Sequence, residues 1–260
     1  KSGLISERMG LASTADINLD GFFDVLMMGQ DNSGVLQTEV FQSAGGIYTI
    51  KSDPIKLKEP RPFAADFNSD GIVDVNYRGK TATNDEVNII QYGNQDYDTL
   101  DHVNLTGQYP GDAEHDGDLD LLQVVQGNSL RLVFYENSPV KKNLGPGAPK
   151  KGIAVTIFNR LFVYWERSAD DHTAMPAITY DLHLNGNPQY QPGDFDLLNE
   201  RRLLVSHGNN GTQNFRLLRN IDEANFDFSV QAVDNAFHAS GLCFGVQAPC
   251  GDVEKEEVTV

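Results

Sequence analysis

The strongest constraint in this sequence is an aspartate-rich pattern of nine residues that occurs three times, with starts 50 and 46 residues apart. The three segments are residues 16–24, 66–74 and 112–120, named here loop 1, loop 2 and loop 3. Each has aspartate at positions 1, 5 and 9, an amide or carboxylate at position 3, and glycine at position 6. Because similar segments at a regular spacing indicate a repeated unit, the chain is predicted to consist of copies of one small motif.

Short runs typical of β-strands follow each loop. The first run is apolar or alternating and ends in glycine, and the second, rich in β-branched and aromatic residues, covers 35–42, 87–92 and 130–136. A repeat of 46 to 50 residues made of short strands has the size of one four-stranded propeller blade. The sequence therefore predicts an all-β fold, a single β-propeller over residues 1–260 with roughly five blades, or an incomplete ring.

The loop pattern suits a metal ion with oxygen ligands. Side chains at positions 1, 3 and 5 point inward, position 7 can offer its carbonyl oxygen, and the carboxylate at position 9 closes the shell. Glycine at position 6 permits the positive φ of the bend. Hard oxygen ligands favour calcium, and about three structural calcium ions are expected. The predicted ligands are Asp16, Asn18, Asp20, Phe22, Asp24, Asp66, Asn68, Asp70, Ile72, Asp74, Asp112, Glu114, Asp116, Asp118 and Asp120.

The alternative is a set of Asx-rich turns that need no ion, because Asn, Asp and Gly favour turns anyway. Charge argues for the ion. The chain has 37 acidic and 20 basic residues, a formal net charge of −17, and the three loops hold eleven of the acidic ones. Carboxylates this close repel one another without a cation. The same charge disfavours nucleic acid and anionic membranes as partners and favours cations or proteins.

A fourth, degraded copy of the loop is predicted at residues 194–202, where Leu198 and Arg202 stand at ligand positions. No ion is expected there, and Arg202 can supply positive charge internally. The alternative is residues 181–189, which keep glycine at position 6 but depart from the repeat spacing.

Cys243 and Cys250 are the two cysteines of the chain, and the glycines and proline around them favour a small disulfide-closed loop over 240–251; free thiols are the alternative. The sequons at Asn104 and Asn210 are glycosylation candidates and fit an extracellular location. Residues 138–152 are predicted to be an exposed loop that holds a basic cluster of Lys141, Lys142, Lys150 and Lys151.

No catalytic constellation is found in the sequence. The six histidines are scattered, and neither His-Glu-x-x-His nor Gly-x-Ser-x-Gly occurs. The glycine-rich stretch 145–152 has Ile153 where a phosphate-binding loop needs lysine. The chain is therefore expected not to be an enzyme.

The three loops resemble the FG-GAP repeats of integrin α-subunit propellers, which share the Asp-x-Asn/Asp-x-Asp-Gly-x-x-Asp pattern. A narrower resemblance, through residues 162–166, 240–243 and Cys250, is to the T-cell immunomodulatory protein (LINKIN) family. In that family a propeller on the secreted side precedes a further extracellular portion, one membrane span and a short tail. The resemblance implies an ectodomain piece that meets a membrane only through a segment outside this chain. Residues 181–202 depart from the family pattern.

The expected function is that of a calcium-stabilised extracellular propeller, without catalysis, for cell adhesion or receptor-type recognition of a protein ligand or co-receptor. One alternative is a lectin-like propeller that binds carbohydrate, for which Tyr92, Tyr97 and Tyr109 are candidate aromatics. Another is an accessory domain of a larger secreted enzyme.

Overall fold

The computed structural model describes residues 9–31, 33–44, 47–93, 96–100, 105–114, 118–138, 143–157, 160–184, 195–196, 201–202, 205–219 and 228–245. These residues divide into two compact units. Unit 1 comprises the described residues within Lys1–Leu144 and His172–Ala177, and unit 2 those within Gly145–Asp171 and Ile178–Val260.

Unit 1 contains three antiparallel sheets whose strands follow one another in chain order. The strands of the first sheet are β1 (Met9–Ala15), β2 (Asp24–Gln30), β3 (Leu36–Ala44) and β4 (Ile47–Ser52). Those of the second are β5 (Phe63–Ala65), β6 (Asp74–Lys80), β7 (Glu86–Gln91) and β8 (Tyr97–Thr99). Those of the third are β9 (Leu105–Gly111), β10 (Asp120–Gln126) and β11 (Leu130–Tyr135).

Unit 2 has a different order, because strands of two sheets alternate along the chain. One sheet joins β12 (Lys150–Ile157), β13 (Arg160–Glu166) and β17 (Phe215–Arg219). Another joins β14 (Thr179–Leu184), β18 (Phe228–Val233) and β19 (Cys243–Gly245). A short hairpin pairs β15 (Phe195–Asp196) with β16 (Arg201–Arg202). A 3₁₀ turn covers Met175–Ala177, within unit 1.

Each unit has its own apolar core, supplied by strand residues that alternate between the two faces of a sheet. The core of unit 1 consists of Ala15, Leu26, Met28, Leu57, Ala64, Val73, Val75 and Tyr77. In unit 2 the lone tryptophan, Trp165, is fully buried and packs edge-on against Tyr180, with ring centroids 5.5 Å apart. Trp165 lies in the strand β13.

The all-β prediction is confirmed, and the three predicted second runs correspond to β3, β7 and β11. The first two sheets have the four strands expected of a repeat, whereas three are described in the third. These sheets do not show a closed propeller. The strand β12 begins at Lys150, so the last three residues of the predicted loop 138–152 lie in a strand. Among the described residues, no helix is long and apolar enough to cross a membrane.

Candidate metal centre in the aspartate-rich loops

The three loops occupy the same place in their sheets. Each starts on the residue after the first strand and ends on the first residue of the second strand. Loop 1 joins β1 to β2, loop 2 joins β5 to β6, and loop 3 joins β9 to β10. The sequence repeat is therefore a repeat of connections between paired strands.

In loop 1 the side chains fold back onto the backbone of the loop. Asp16 accepts hydrogen bonds from the backbone N–H of Asp20 at 2.9 Å and of Gly21 at 2.7 Å. Asn18 accepts from the N–H of Asp20 at 3.2 Å and donates its Nδ2 to the carboxylate of Asp20 at 3.0 Å. Asp20 in turn accepts from the N–H of Phe22 at 2.9 Å. The acidic side chains thus hold the loop in a tight curl.

Loop 2 repeats these contacts bond for bond. Asp66 accepts from the N–H of Asp70 at 3.1 Å and of Gly71 at 2.7 Å. Asn68 accepts from the N–H of Asp70 at 3.0 Å, and its Nδ2 donates to the Asp70 carboxylate at 3.0 Å. Asp70 accepts from the N–H of Ile72 at 2.8 Å. Two segments 50 residues apart therefore share one geometry as well as one pattern.

The backbone of both loops passes twice through the left-handed region. Position 4 has φ of +58° at Leu19 and at Ser69, and position 6 has φ of +89° at Gly21 and +85° at Gly71. Glycine enters this region without steric cost, whereas other residues lose about 1–2 kcal/mol there. The expectation that the glycine at position 6 adopts positive φ is confirmed for these two loops.

Crowding gives a second reason for glycine at position 6. A Cβ atom at Gly71 would lie 1.7 Å from the carbonyl oxygen of His172, and one at Gly21 would lie 3.1 Å from that of Pro176. Residues 172–177, which belong to unit 1, thus pack closely on the bends of both loops. Sequence patterns could not predict this contact, because the segment lies about 100 residues beyond loop 2 and meets it through backbone atoms.

The carboxylate at position 9 makes the same bond within all three loops: one oxygen accepts from the backbone N–H of position 2. The pairs are Asp24 with Ile17 at 3.1 Å, Asp74 with Phe67 at 2.8 Å, and Asp120 with Ala113 at 2.8 Å. All three aspartates are buried. This bond closes the loop across its base.

The other oxygen of each position-9 carboxylate reaches the third strand of the sheet. It accepts from a backbone N–H at the end of that strand or just beyond it. The donors are Ser43 (2.8 Å), Gly93 (2.9 Å) and Asn137 (3.0 Å). The three donor residues have different side chains. The side chain does not matter here, because the backbone N–H makes the hydrogen bond. Sequence patterns based on side chains therefore could not identify them.

Loop 3 brings three carboxylates together. Glu114, Asp118 and Asp120 each offer an oxygen within 4.8 Å of the others, and this arrangement could hold a metal ion. Glu114 is exposed and the two aspartates are buried. The predicted ligand Asp116 lies outside the described residues, and Asp112 is not part of this cluster. In loops 1 and 2 the carboxylates at positions 1, 5 and 9 do not all lie within that distance of one another.

Five carboxyl groups of the loops have raised pKa values: Asp16, Asp24, Asp66, Asp74 and Glu114. Burial, together with the charge of neighbouring loop carboxylates, raises the pKa of Asp66 to about 6 and that of Asp74 to about 7. Burial also raises the pKa of Asp16 and of Asp24. The pKa of Glu114 rises chiefly because its side chain hydrogen-bonds to Asp120, which requires a proton between the two groups. Each loop therefore favours a bound positive charge, either protons or a metal ion.

The fourth predicted loop, 194–202, lies mostly outside the described residues; the part that is described forms the β15–β16 hairpin. Arg202 at its end donates Nε to Asp181 at 2.6 Å, and both side chains are nearly fully buried. Asp181 is the first residue of the alternative loop, 181–189, and it lies inside β14. An arginine thus supplies the positive charge to this carboxylate.

The extracellular markers are described only in part. Cys243 is buried in the core of unit 2, and its predicted partner Cys250 lies outside the described residues, as does Asn104. Asn210 is buried, and its Nδ2 donates to the carbonyl oxygens of Gln213 at 2.6 Å and Phe215 at 3.2 Å. A glycan on this nitrogen would require both bonds to break.

Comparisons with known proteins do not place the chain in a family. No protein-family model matches it, and no curated protein matches it either.

Replacing Gly71 by alanine is expected to destabilise unit 1 far more than replacing Gly34. Both glycines have left-handed φ, +85° and +79°, so the backbone strain of about 1 kcal/mol is common to both substitutions. Nothing lies within 4 Å of a Cβ at Gly34, whereas His172 blocks Gly71. Urea unfolding should show an additional loss of about 2 kcal/mol or more for Gly71→Ala. Equal losses of unfolding free energy in the two variants would contradict the close approach of His172 to Gly71.

In chelator, the free energy of unfolding is expected to fall as the pH rises from 5 to about 7. Folded Asp66 and Asp74, with pKa values of about 6 and about 7, retain protons that the unfolded chain, with pKa near 4, has already released. The stability that these protons provide is complete at low pH and is lost as they dissociate. Urea titrations followed by circular dichroism at several pH values measure this slope.

The control for this slope is Asp66→Asn, which removes one of the two titrations. The pKa of His183 in unit 2 is lowered by burial, so its contribution has the opposite sign, and it is the same in both proteins. The difference between wild type and variant therefore isolates the loop. An identical slope in the two proteins would show that Asp66 does not retain a proton.

Proposed function

We propose that this chain is a calcium-stabilised β-propeller of the FG-GAP type, from the extracellular part of a protein that recognises other proteins. Two four-stranded sheets in chain order support the blade assignment, because each carries its aspartate-rich loop at the same connection. Such sheets pack around an axis in propellers, where neighbouring blades cover each other's faces.

The observation that carries the calcium proposal is the position-9 carboxylate that joins each loop to its third strand. Asp24, Asp74 and Asp120 are buried carboxyl groups, and each accepts hydrogen bonds from at least two backbone N–H groups but, among the described residues, from no basic side chain. Burying a carboxylate is costly unless its charge is compensated. Calcium takes six to eight oxygen ligands, which the clustered carboxylates, amides and carbonyl groups of each loop can supply together with water.

Recognition of a protein is proposed for the loop-bearing edge of the sheets. The residues at position 7 of loops 1 and 2, Phe22 and Ile72, expose about 42% and 36% of their surface. Two apolar side chains at equivalent places beside ion-binding loops provide contact area that calcium would hold in position. Loops carry recognition more often than the strands that support them.

An extracellular location is part of the same proposal. It is supported by the cysteine pair Cys243 and Cys250, by the sequon at Asn104, and by the millimolar calcium outside cells, which matches the weak affinity of extracellular calcium modules. Attachment to a membrane would come from a segment outside this chain.

Metal counting tests the calcium proposal. The chain is dialysed against about 1 mM calcium, a concentration in the affinity range of extracellular modules, and bound metal is measured by mass spectrometry. About three calcium ions per chain are expected, and chelation should lower the melting temperature because calcium binds only the folded state. Asp70→Asn retains the acceptor for Ile72 but loses a charge, and should bind one ion fewer.

Asp31→Asn is the matched control for Asp70→Asn. Asp31 also accepts backbone hydrogen bonds in a tight turn, from Ser33 at 2.8 Å and Val35 at 2.9 Å, but it lies outside the loops. Its replacement should leave the metal count unchanged. Absence of bound metal, or equal binding of magnesium and calcium, would refute the calcium proposal.

Cell binding tests the recognition proposal. Cells should attach to a surface coated with the calcium-loaded chain, and chelator should release them. Phe22→Ser combined with Ile72→Ser should reduce attachment at least several-fold, whereas Tyr48→Ser should not, although Tyr48 in β4 is 57% exposed. Attachment that is the same for all three proteins would exclude this edge as the recognition surface.

A further inference from the structure

A cavity of about 670 Å³ lies within unit 1, away from the aspartate-rich loops. Its wall includes residues of β1, β6, β7 and β9 together with the segment before β5. This volume is within the range of small-molecule binding sites in proteins. Three polar groups, Arg61, Arg78 and Asn88, lie side by side in this wall.

The backbone places these three residues in one row. The N–H of Arg61 donates to the carbonyl oxygen of Arg78 at 2.7 Å, and Arg78 pairs directly with Asn88 across β6 and β7. Side chains of residues directly opposite on antiparallel strands lie on the same face of the sheet. The row is therefore fixed by sheet register.

Most hydrogen-bond donors of the two arginines are available. Arg78 is half-buried and its guanidinium donates to the carbonyl oxygen of Leu105, while the exposed Arg61 guanidinium makes no hydrogen bond or ion pair with the described residues. Burial lowers the pKa of Arg78, and the neighbouring charge of Arg61 lowers it further. Two like charges held together in this way both favour an anion between them.

A chain of side-chain amides supplies a third donor. Gln108 donates to Asn76 Oδ1 at 3.0 Å, and Asn76 donates to Asn88 Oδ1 at 2.9 Å. The chain ends at Asn88, which is 5% exposed and whose buried Nδ2 has no acceptor. Each bond polarises the next, so the last N–H is a strengthened donor. Asn88 lines the cavity, and its unpaired Nδ2 has almost no exposed surface, so the side chain must rotate for this donor to reach a ligand. An unpaired buried donor in a residue of the cavity wall is a second, independent sign of an anionic ligand.

The acidic residues of the wall do not cancel this charge. Lys80 pairs with Glu59 at 2.8 Å, which leaves Glu86 against the two arginines. The wall therefore has an excess of positive charge in a chain of net charge −17. Leu11, Val87 and Leu105 add apolar surface, which suits a ligand with an organic body.

We propose that this cavity binds a small organic carboxylate, with its carboxylate held by Arg61, Arg78 and the amide of Asn88, and its body on the apolar wall. Planar guanidinium groups bind carboxylates through paired hydrogen bonds. The site is separate from the metal loops and does not depend on the proposed recognition of proteins.

Isothermal titration of the full chain with N-acetyl-L-phenylalanine and with its neutral amide tests this site. The carboxylate should bind with a Kd on the order of 1 mM or tighter, and the amide about tenfold or more weaker. Arg61→Gln should weaken carboxylate binding about tenfold or more, since it removes an ionised donor. Arg131→Gln, which replaces an exposed arginine of β11 outside the cavity, should leave it unchanged.

Asn88→Asp is the second variant. Aspartate retains the acceptor for Asn76 but replaces the free donor by a carboxylate, which should abolish carboxylate binding. Because burial of the new charge lowers stability, circular dichroism checks that the variant folds. Arg78→Gln is a third variant and should also weaken binding. If it does not fold, Asn88→Asp and Arg61→Gln still decide the test. Absence of saturable carboxylate binding up to about 10 mM, equal binding of the amide, or unchanged binding by Arg61→Gln would overturn the proposal.

Discussion

The buried carboxylate that ends each aspartate-rich loop is the interaction on which the sheets of unit 1 depend. Asp24, Asp74 and Asp120 each join the base of a loop to the third strand, so that one side chain fixes three consecutive segments. Hydrogen bonds to a charged acceptor contribute about 1.5–3 kcal/mol each. Burial of the charge opposes this gain, so the same residue stabilises the sheet and creates a demand for positive charge.

The local parts of this structure could be predicted from the sequence. Aspartate, amide and glycine at fixed offsets predicted loops 1 and 2, and alternation of apolar residues predicted the strands after them, because both depend on neighbouring residues. The contacts of His172 with Gly71, and of the position-9 carboxylates with their third-strand donors, were not predictable, since they join distant backbone atoms. Arg202 was predicted to carry internal charge, but its partner Asp181 lies in a strand of another sheet.

Strand β6 shows how one sheet can hold sites of opposite charge. Its first residue, Asp74, closes loop 2, and Arg78 lies four residues further along. That separation is about 13 Å along an extended strand, which exceeds the Debye length of about 8 Å at physiological ionic strength. Salt screens exposed charges at this distance, but it screens buried charges much less, and Asp74 is buried while Arg78 is half-buried. The proposed cation at loop 2 and the proposed anion at Arg78 would therefore favour each other's binding.

The alternating strand order of unit 2 has a consequence for how the chain folds during synthesis. Each sheet of unit 1 is complete once a continuous stretch of about 30 to 45 residues has been made, because its strands are consecutive. In unit 2, β13 cannot pair with β17, and β14 cannot pair with β18, until the later strand has been made. Strands of the other sheet are made in between. The entropy of closing these loops delays pairing. The apolar face of β14 therefore remains exposed until the ribosome has added about fifty further residues, and during this interval the nascent chain can aggregate through that face.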